Sequence, residues 1–259
     1  MKFVRIQTND GIQHGVVENG SVRIVSGDIF SDWQFTGETV PFETEKLLAP
    51  VKAESILCIG RNYKAHALEC GNDLPKKPVL FIKANNALCG PEDDVVIPQE
   101  HTQKADYEAE LAVVIGKAAK CVSEEEALDY VFGYTCANDV SARDVQYENG
   151  QWARGKSFDT FCPLGPWIET QLDPLDLEIT GRRNGKVVQH SRTSLMIFPI
   201  PYLISYLSQT MTLLPGTVIL TGTPEGVVLG IKDNPDWLKP GETYEVEIEN
   251  IGSLKSNFV

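Results

Sequence analysis

Three acidic residues and one histidine–glutamate pair are the groups in this sequence whose types and spacing could do chemistry. The run Asp106-Tyr107-Glu108-Ala109-Glu110-Leu111-Ala112-Val113-Val114-Ile115-Gly116 reads as a β-strand. Its period of two puts Glu108 and Glu110 on one face and Tyr107, Ala109, Leu111, Val113 and Ile115 on the other. With α-carbons roughly 6.6–7 Å apart, two such carboxylates can converge on one hard cation and repel each other without it. Taken alone, the pattern describes a half-exposed strand with two solvated glutamates. A third carboxylate, Asp139, ends the apolar run Tyr134–Asp139, where a side chain can emerge at a rim; taken alone it is a turn or cap residue. Together the three make a Glu/Glu/Asp oxygen set suited to octahedral Mg²⁺ or Mn²⁺, with positions left for substrate.

His66 and Glu69, in Gly60-Arg61-Asn62-Tyr63-Lys64-Ala65-His66-Ala67-Leu68-Glu69, stand at i and i+3 of a short helix and share one face. Glu69 would orient the imidazole and raise its basicity, making a base able to activate water. By itself such a pair is more often a solvated helix face than a catalytic dyad. Lys156, flanked by Gly155 and Ser157, can set an ammonium near a developing oxyanion or can be a surface-loop lysine. In Thr221-Gly222-Thr223-Pro224-Glu225-Gly226 the glycines permit close backbone approach, and Thr223 can hydrogen-bond a substrate carboxylate. The spacing is not that of a phosphate-binding P-loop.

The elements that must position these groups are mostly strands. Residues 1–50 alternate short strand-like runs (3–7, 14–18, 22–25) with the turn signals Asn9-Asp10-Gly11 and Asn19-Gly20, which predicts a small antiparallel β domain ending at Pro50. Residues 51–259 form the second predicted domain, with strands at 55–60, 79–83, 95–97, 107–115, 134–139, 167–169, 177–183, 186–190, 217–221 and 243–249. Asn184-Gly185 reads as a two-residue hairpin turn. A capping box, Ser123 with Glu126, predicts a helix through Ala127–Val131, and Leu203, Tyr206 and Leu207 predict another over 201–209. Ser141 is placed to cap the turn after Asp139. Strands that do not alternate with long helices exclude a doubly wound sheet and predict a mixed, β-dominated (α+β) fold.

Composition narrows the partners. The 259 residues carry a formal net charge of −13, which disfavours nucleic acid and anionic membrane surfaces. No apolar stretch approaches membrane-spanning length, and the opening MKFVRIQTND lacks the apolar core of a signal peptide, so the expectation is a cytoplasmic protein. Six scattered cysteines without CxxC spacing read as reduced thiols, and with four histidines they do not suggest a tetrahedral zinc site.

Taken in order, IGRNYKAHALE, KADYEAELAVVIG, YTCANDVSARDVQ, WARGKSFDTFCPLGPW, SRTSLMIF and LLPGTVILTGTPEGV resemble the fumarylacetoacetate hydrolase family over roughly four fifths of the chain, from Ser55 onward. The resemblance implies a β-sandwich roll with short helices behind a small N-terminal β unit, a divalent metal, and assembly as a homodimer. It implies that Glu108, Glu110 and Asp139 hold the metal and that His66 and Glu69 form a dyad on a segment that closes over substrate. It further implies that Lys156 faces the substrate oxyanion and that Arg61, Gln146 and Thr223 contact substrate; Arg61 and Arg143 are weaker transfers, since either can instead make structural ion pairs. The implied reaction is cleavage of a 3-acylpyruvate to pyruvate and a carboxylic acid. Oxaloacetate decarboxylation and keto–enol isomerisation of a hydroxymuconate-type diacid pass through the same enolate. The competing non-enzymatic readings are a metal-dependent oxo-acid-binding module and a purely structural β protein.

Overall fold

The N-terminal fifty residues build an antiparallel meander of β1 (Lys2–Thr8), β2 (Gly11–Glu18), β3 (Ser21–Gly27) and β4 (Trp33–Pro41), to which β5 (Lys46–Leu48) returns by pairing with β1. Asn19 and Gly20 take φ of 50° and 75° at the β2–β3 turn, the left-handed pair that a tight hairpin of this twist requires. Val4, Ile6, Val22, Ile24 and Leu47 form a small core of this unit's own. The computed structural model describes all residues, Met1–Val259.

The rest of the chain runs β6 (Ile56–Gly60), α1 (Lys64–Glu69), β7 (Val79–Lys83), β8 (Leu88–Cys89), β9 (Asp94–Val95), β10 (Ala105–Asp106), β11 (Ala109–Ile115), β12 (Val131–Asn138), β13 (Ser141–Ala142), α2 (Arg143–Gln146) and α3 (Ala153–Lys156). It continues through β14 (Cys162–Glu169), β15 (Glu178–Arg183), β16 (Lys186–Arg192), α4 (Ile200–Thr210), β17 (Val218–Leu220), β18 (Thr243–Ile248) and β19 (Gly252–Phe258). The principal sheet has twelve strands in the order β4-β3-β2-β1-β14-β12-β11-β17-β6-β7, with β5 and β8 attached at β1 and β14. A five-stranded sheet, β16-β15-β18-β19-β9, shares no ladder with it but packs against β11, β12 and β14. The fold is strand-dominated with short helices, and no helix is long and apolar enough to cross a membrane.

Strand β11 explains why the two sides of the principal sheet are different cores. All seven of its residues are buried. Leu111, Val113 and Ile115 enter a 39-residue cluster with Ile179, Val246, Leu254 and the buried face of α4 (Ile200, Leu203, Ile204, Leu207). Ala112 and Val114 point the other way, into an 18-residue cluster with Leu164, Val218 and Leu220. That second cluster also contains Phe3, Val16, Val25 and Ile29 from the N-terminal meander. Pairing of β1 with β14 (Lys2↔Glu169, Phe3↔Ile168) carries the meander's hydrogen bonding into the principal sheet.

Several predicted elements shift. The helix expected to follow Ser123 is a single 3₁₀ turn, Ala127–Tyr130, because β12 begins at Val131. The Ser123–Glu126 side-chain contact forms nonetheless, at 3.1 Å. Ser141 does not cap α2; its hydroxyl donates back to the Asp139 carbonyl at 3.0 Å, and Ala142 occupies the cap position. Asn184 and Gly185 turn the β15–β16 hairpin with φ of 48° and 78°, as expected. Strands β4 and β19 have no counterpart among the predicted runs: β4 exposes most of its residues, and β19 places Ser256 in a buried slot that an apolar pattern would have filled.

Phe3 is 1% exposed and packs its ring edge-on to Trp33 (5.2 Å) and tilted against Phe132 (5.1 Å), at the seam between meander and principal sheet. Phe3→Ala is expected to lower the unfolding free energy by about 3–5 kcal/mol in urea titration. A loss below about 1 kcal/mol would show that the seam does not contribute to stability.

Candidate active site

Glu108 and Glu110 keep the parity of Ala112 and Val114, as the strand period dictates, but neither is solvated: they are 5% and 2% exposed. Asp139, directly after β12, is fully buried, and oxygen atoms of the three carboxylates lie within 4.8 Å of one another. The sequence-predicted acidic set is therefore assembled. Its backbone is tied together as well: the Asp139 amide donates to the Glu108 carbonyl (3.0 Å), and the Asn138 side chain accepts from the Glu108 amide (3.1 Å).

Three cations are buried with these carboxylates. The Lys156 ammonium bridges Glu108 Oε2 (2.6 Å) and Asp139 Oδ2 (2.7 Å). Lys83 donates to Asp139 Oδ1 at 2.6 Å. The Arg143 guanidinium joins Asp106 Oδ2 (2.8 Å) to Glu108 Oε1 (2.7 Å) and also reaches Gln146 Oε1 (3.1 Å). Arg143 thus makes the structural ion pairs that were one of its two sequence readings. Burial alone would raise the Glu108 pKa, but Lys156 and Arg143 hold it well below the usual carboxylate range. Glu110 goes the other way. Burial first, then the neighbouring charges of Asp139 and Glu108, push its pKa well up, and its one hydrogen bond comes from the Gly222 amide at 2.7 Å. Four buried carboxylates face three buried cations, and Glu110 is the one left without a partner.

That donor set fits a divalent cation. All three groups offer hard oxygen ligands with lone pairs free beyond the hydrogen bonds already made, and a cation beside Glu110 would supply the missing positive charge. Glu108, Glu110 and Asp139 are the residues that would hold it.

The predicted base, His66, lies on α1, a helix of six residues and too short to persist by itself. Its entry is fixed by Asn62, whose side-chain amide donates to the Phe198 and Thr221 carbonyls (3.1 and 2.7 Å) while its oxygen accepts from the Phe198 amide (2.8 Å). On the helix, His66 Nδ1 lies 2.9 Å from Glu69 Oε1. Glu69 in turn accepts from the Gly226 amide, at 2.9 and 3.1 Å to its two oxygens. An ionised carboxylate only accepts, so the imidazole proton sits on Nδ1 and the Nε2 lone pair is left for the cavity.

One six-residue stretch therefore supplies an amide to each half of the site. At Gly222 (φ 101°) an added Cβ would lie 2.6 Å from Asn62 Cβ, and at Gly226 (φ 102°) 2.0 Å from the Val188 carbonyl oxygen. Only glycine lets both amides approach.

His66, Glu108, Glu110, Lys156, Gln146, Thr223 and Arg61 line a common cavity of about 30 Å³. Asp139 and Glu69 stand behind this lining and act on it through Lys156 and His66. The Thr223 hydroxyl accepts from Gln189 Nε2 at 2.9 Å. Arg61 lies 5.4 Å over the Trp152 ring and makes no ion pair within the chain. Lys83, Asp106 and Gln189 escaped the sequence reading. Asp106 directly precedes the Tyr107-Glu108-Ala109-Glu110 run, but Lys83 ends an ordinary apolar strand and Gln189 lies in a hairpin, so neither had a local signal.

With fold and site in view, the comparisons agree. Residues 55–259 match the family described as fumarylacetoacetate (FAA) hydrolase C-terminal, and residues 1–50 match the one described as Rv2993c-like, N-terminal. The fumarylacetoacetate hydrolase domain-containing protein 2 homolog of Dictyostelium discoideum is 49% identical over 231 residues, covering 84% of this chain and 75% of that one. The mitochondrial oxaloacetate tautomerase of Xenopus laevis is 48% identical over 82% of this chain and 68% of its own. Among solved structures, the 5-carboxymethyl-2-hydroxymuconate delta-isomerase from Mycobacterium smegmatis superposes with a TM-score of 0.91 at 41% identity, covering 100% of this chain and 99% of that one. The class defined by scaffold and carboxylate site is an enzyme class. The chain belongs to the fumarylacetoacetate hydrolase family.

Because Glu110 has no cationic partner within the chain, Mn²⁺ or Mg²⁺ is expected to raise the melting temperature, by the equivalent of about 2.7 kcal/mol at one hundred times the dissociation constant. Glu110→Gln should melt cooperatively and lose that increment. An undiminished increment in the variant would place the cation elsewhere.

Proposed function

We propose that the protein is a divalent-metal-dependent tautomerase or isomerase of a small 2-oxo dicarboxylic acid of the oxaloacetate type. The observation that carries the reading is the His66–Glu69 pair, with Nε2 left free in the same small cavity as Glu108 and Glu110. A divalent cation on Glu108, Glu110 and Asp139 would supply Lewis-acid polarisation of the substrate's 2-oxo group.

The chain's own residues account for the proton traffic. The hydrogens on the carbon beside the oxo group are the acidic ones in such a substrate. His66 Nε2 removes one of them, and Glu69 stabilises the resulting imidazolium through Nδ1. The Lys156 ammonium opposes the negative charge that spreads towards the oxygen. Return of the same proton to oxygen completes a keto–enol exchange; return to a conjugated carbon further along completes a double-bond isomerisation. Arg61, unpaired and steadied by Trp152, is suited to the second carboxylate of a diacid.

Hydrolysis of a 3-acylpyruvate, the reaction first implied by the motifs, is the second reading, because the same dyad can deprotonate a water. The cationic side chain left free among the lining residues, Arg61, favours the diacid. The names of the tautomerase and isomerase relatives support the same choice.

With Mg²⁺ or Mn²⁺ present, decay of the oxaloacetate enol absorbance should accelerate, without matching release of carbon dioxide and without pyruvate release from acetylpyruvate. Pyruvate release from acetylpyruvate as the faster reaction would overturn the tautomerase reading in favour of hydrolysis. His66→Ala should lower turnover by about 10²–10⁴-fold while leaving the cation-induced rise in melting temperature intact; full turnover in this variant would remove the assigned base. Arg61→Met should raise KM for diacids about tenfold and leave KM for a monocarboxylic 2-oxo acid nearly unchanged. Equal changes for both substrates would remove the role at the second carboxylate.

A further inference from the structure

The face of α1 that carries the dyad carries a third potential ligand. Cys70 closes the helix with its backbone amide on the His66 carbonyl (3.3 Å), and its sulfur lies 3.9 Å from His66 Nδ1. Positions 66, 69 and 70 are related as i, i+3 and i+4, so the three side chains share one helical face. Ligand atoms of His66, Glu69 and Cys70 all lie within 4.8 Å of one another.

We propose that His66, Glu69 and Cys70 form a second metal site, distinct from the all-oxygen set, which takes a thiophilic divalent ion such as Zn²⁺ and switches the enzyme off. One imidazole nitrogen, one carboxylate and one sulfur are the mixture that zinc accepts and magnesium does not, and a fourth position stays open to water. Glu69 is already fixed in place by Gly226, so one ligand is oriented before the ion arrives.

The state of the thiol separates metal binding from oxidation. Burial, then the charge of Glu69, pushes the Cys70 pKa up to about 12, so almost no thiolate is present at neutral pH to react with an oxidant. A metal ion removes that obstacle by displacing the thiol proton directly. On binding, a bond forms from the ion to Sγ and the thiol proton leaves to solvent. A second bond forms to His66 Nδ1, whose proton leaves that nitrogen, and the neutral imidazole takes up one proton on Nε2. The nitrogen that faces the cavity then carries a hydrogen and no lone pair. Inhibition follows from this change of tautomer; this step rests on the reading of His66 as the base.

The test uses the whole protein with its carboxylate site first saturated with Mg²⁺. Added Co²⁺ should give a thiolate-to-cobalt charge-transfer band in the near ultraviolet, absent from Cys70→Ala and Cys70→Ser, and Zn²⁺ should bleach it stoichiometrically. In turnover assays, the Zn²⁺ concentration giving half inhibition should rise at least about tenfold in both variants, with Mg²⁺-supported turnover unchanged. Absence of the band, or equal Zn²⁺ sensitivity in wild type and variants, would overturn the site. Should none of the oxo-acids be turned over, the proposed function fails while the cobalt band still decides the metal site.

Discussion

Everything in the site is arranged around carboxylates that have been taken out of water. Removing a charge from solvent is costly unless an opposite charge or several hydrogen bonds receive it. Lys83, Arg143 and Lys156 do this for Asp139, Asp106 and Glu108, from three separate parts of the chain. They reach these partners only because β7, α2 and α3 are brought up against the start of β11 and the end of β12. Glu110 has no such partner and is held by one amide. The fold thus keeps one carboxyl group in a medium that disfavours its charged form and gives it no cation, and this is what makes the cluster receptive to an added one. Ion pairs elsewhere, such as Arg154–Glu148 or Arg192–Asp176, are solvent-exposed and contribute little by comparison.

The sequence was most informative where function is encoded by local spacing. The period of a strand is enough to put Glu108 and Glu110 on one side, and the pitch of a helix is enough to bring His66 to Glu69. Residues whose roles depend on distant partners were opaque. Nothing near Lys83 distinguishes a lysine that neutralises Asp139 from one that ends an exposed strand, because its partner is 56 residues away. Gln189 looks like a surface residue of a hairpin, yet its amide binds Thr223 and its oxygen receives the Ala109 amide, since β16 folds over the mouth of the principal sheet. Local rules also lost to tertiary demands. Ser123 and Glu126 make their capping contact, but the strand that follows leaves no room for a helix. Ser141 turns back to Asp139 because that carbonyl, buried at the site, needs a donor more than a four-residue helix needs a cap.

The meander and the catalytic body meet through a hydrogen-bonded strand pair and a shared apolar cluster. Twelve strands in one sheet would leave long open edges, and the outer members manage this differently. Strand β4 is mostly exposed, with a register break around Gly37 and Pro41 at its end, whereas α3 packs against β7 at the other end. The meander lies far along the sheet from α1, so its contribution to the cavity is through support of β14 and β12.

The Thr221–Gly226 stretch gives one amide to Glu110 and another to Glu69, so the spacing between the acidic set and the His66–Glu69 pair is set by a single connector. Lengthening it, or adding a side chain at either glycine, would disturb both halves at once. Arg61, Tyr147 and Trp152, by contrast, line the cavity from outside the connector. On the proposed reading, exchanging them would alter which substrate tail is accepted while both connector amides stay where they are.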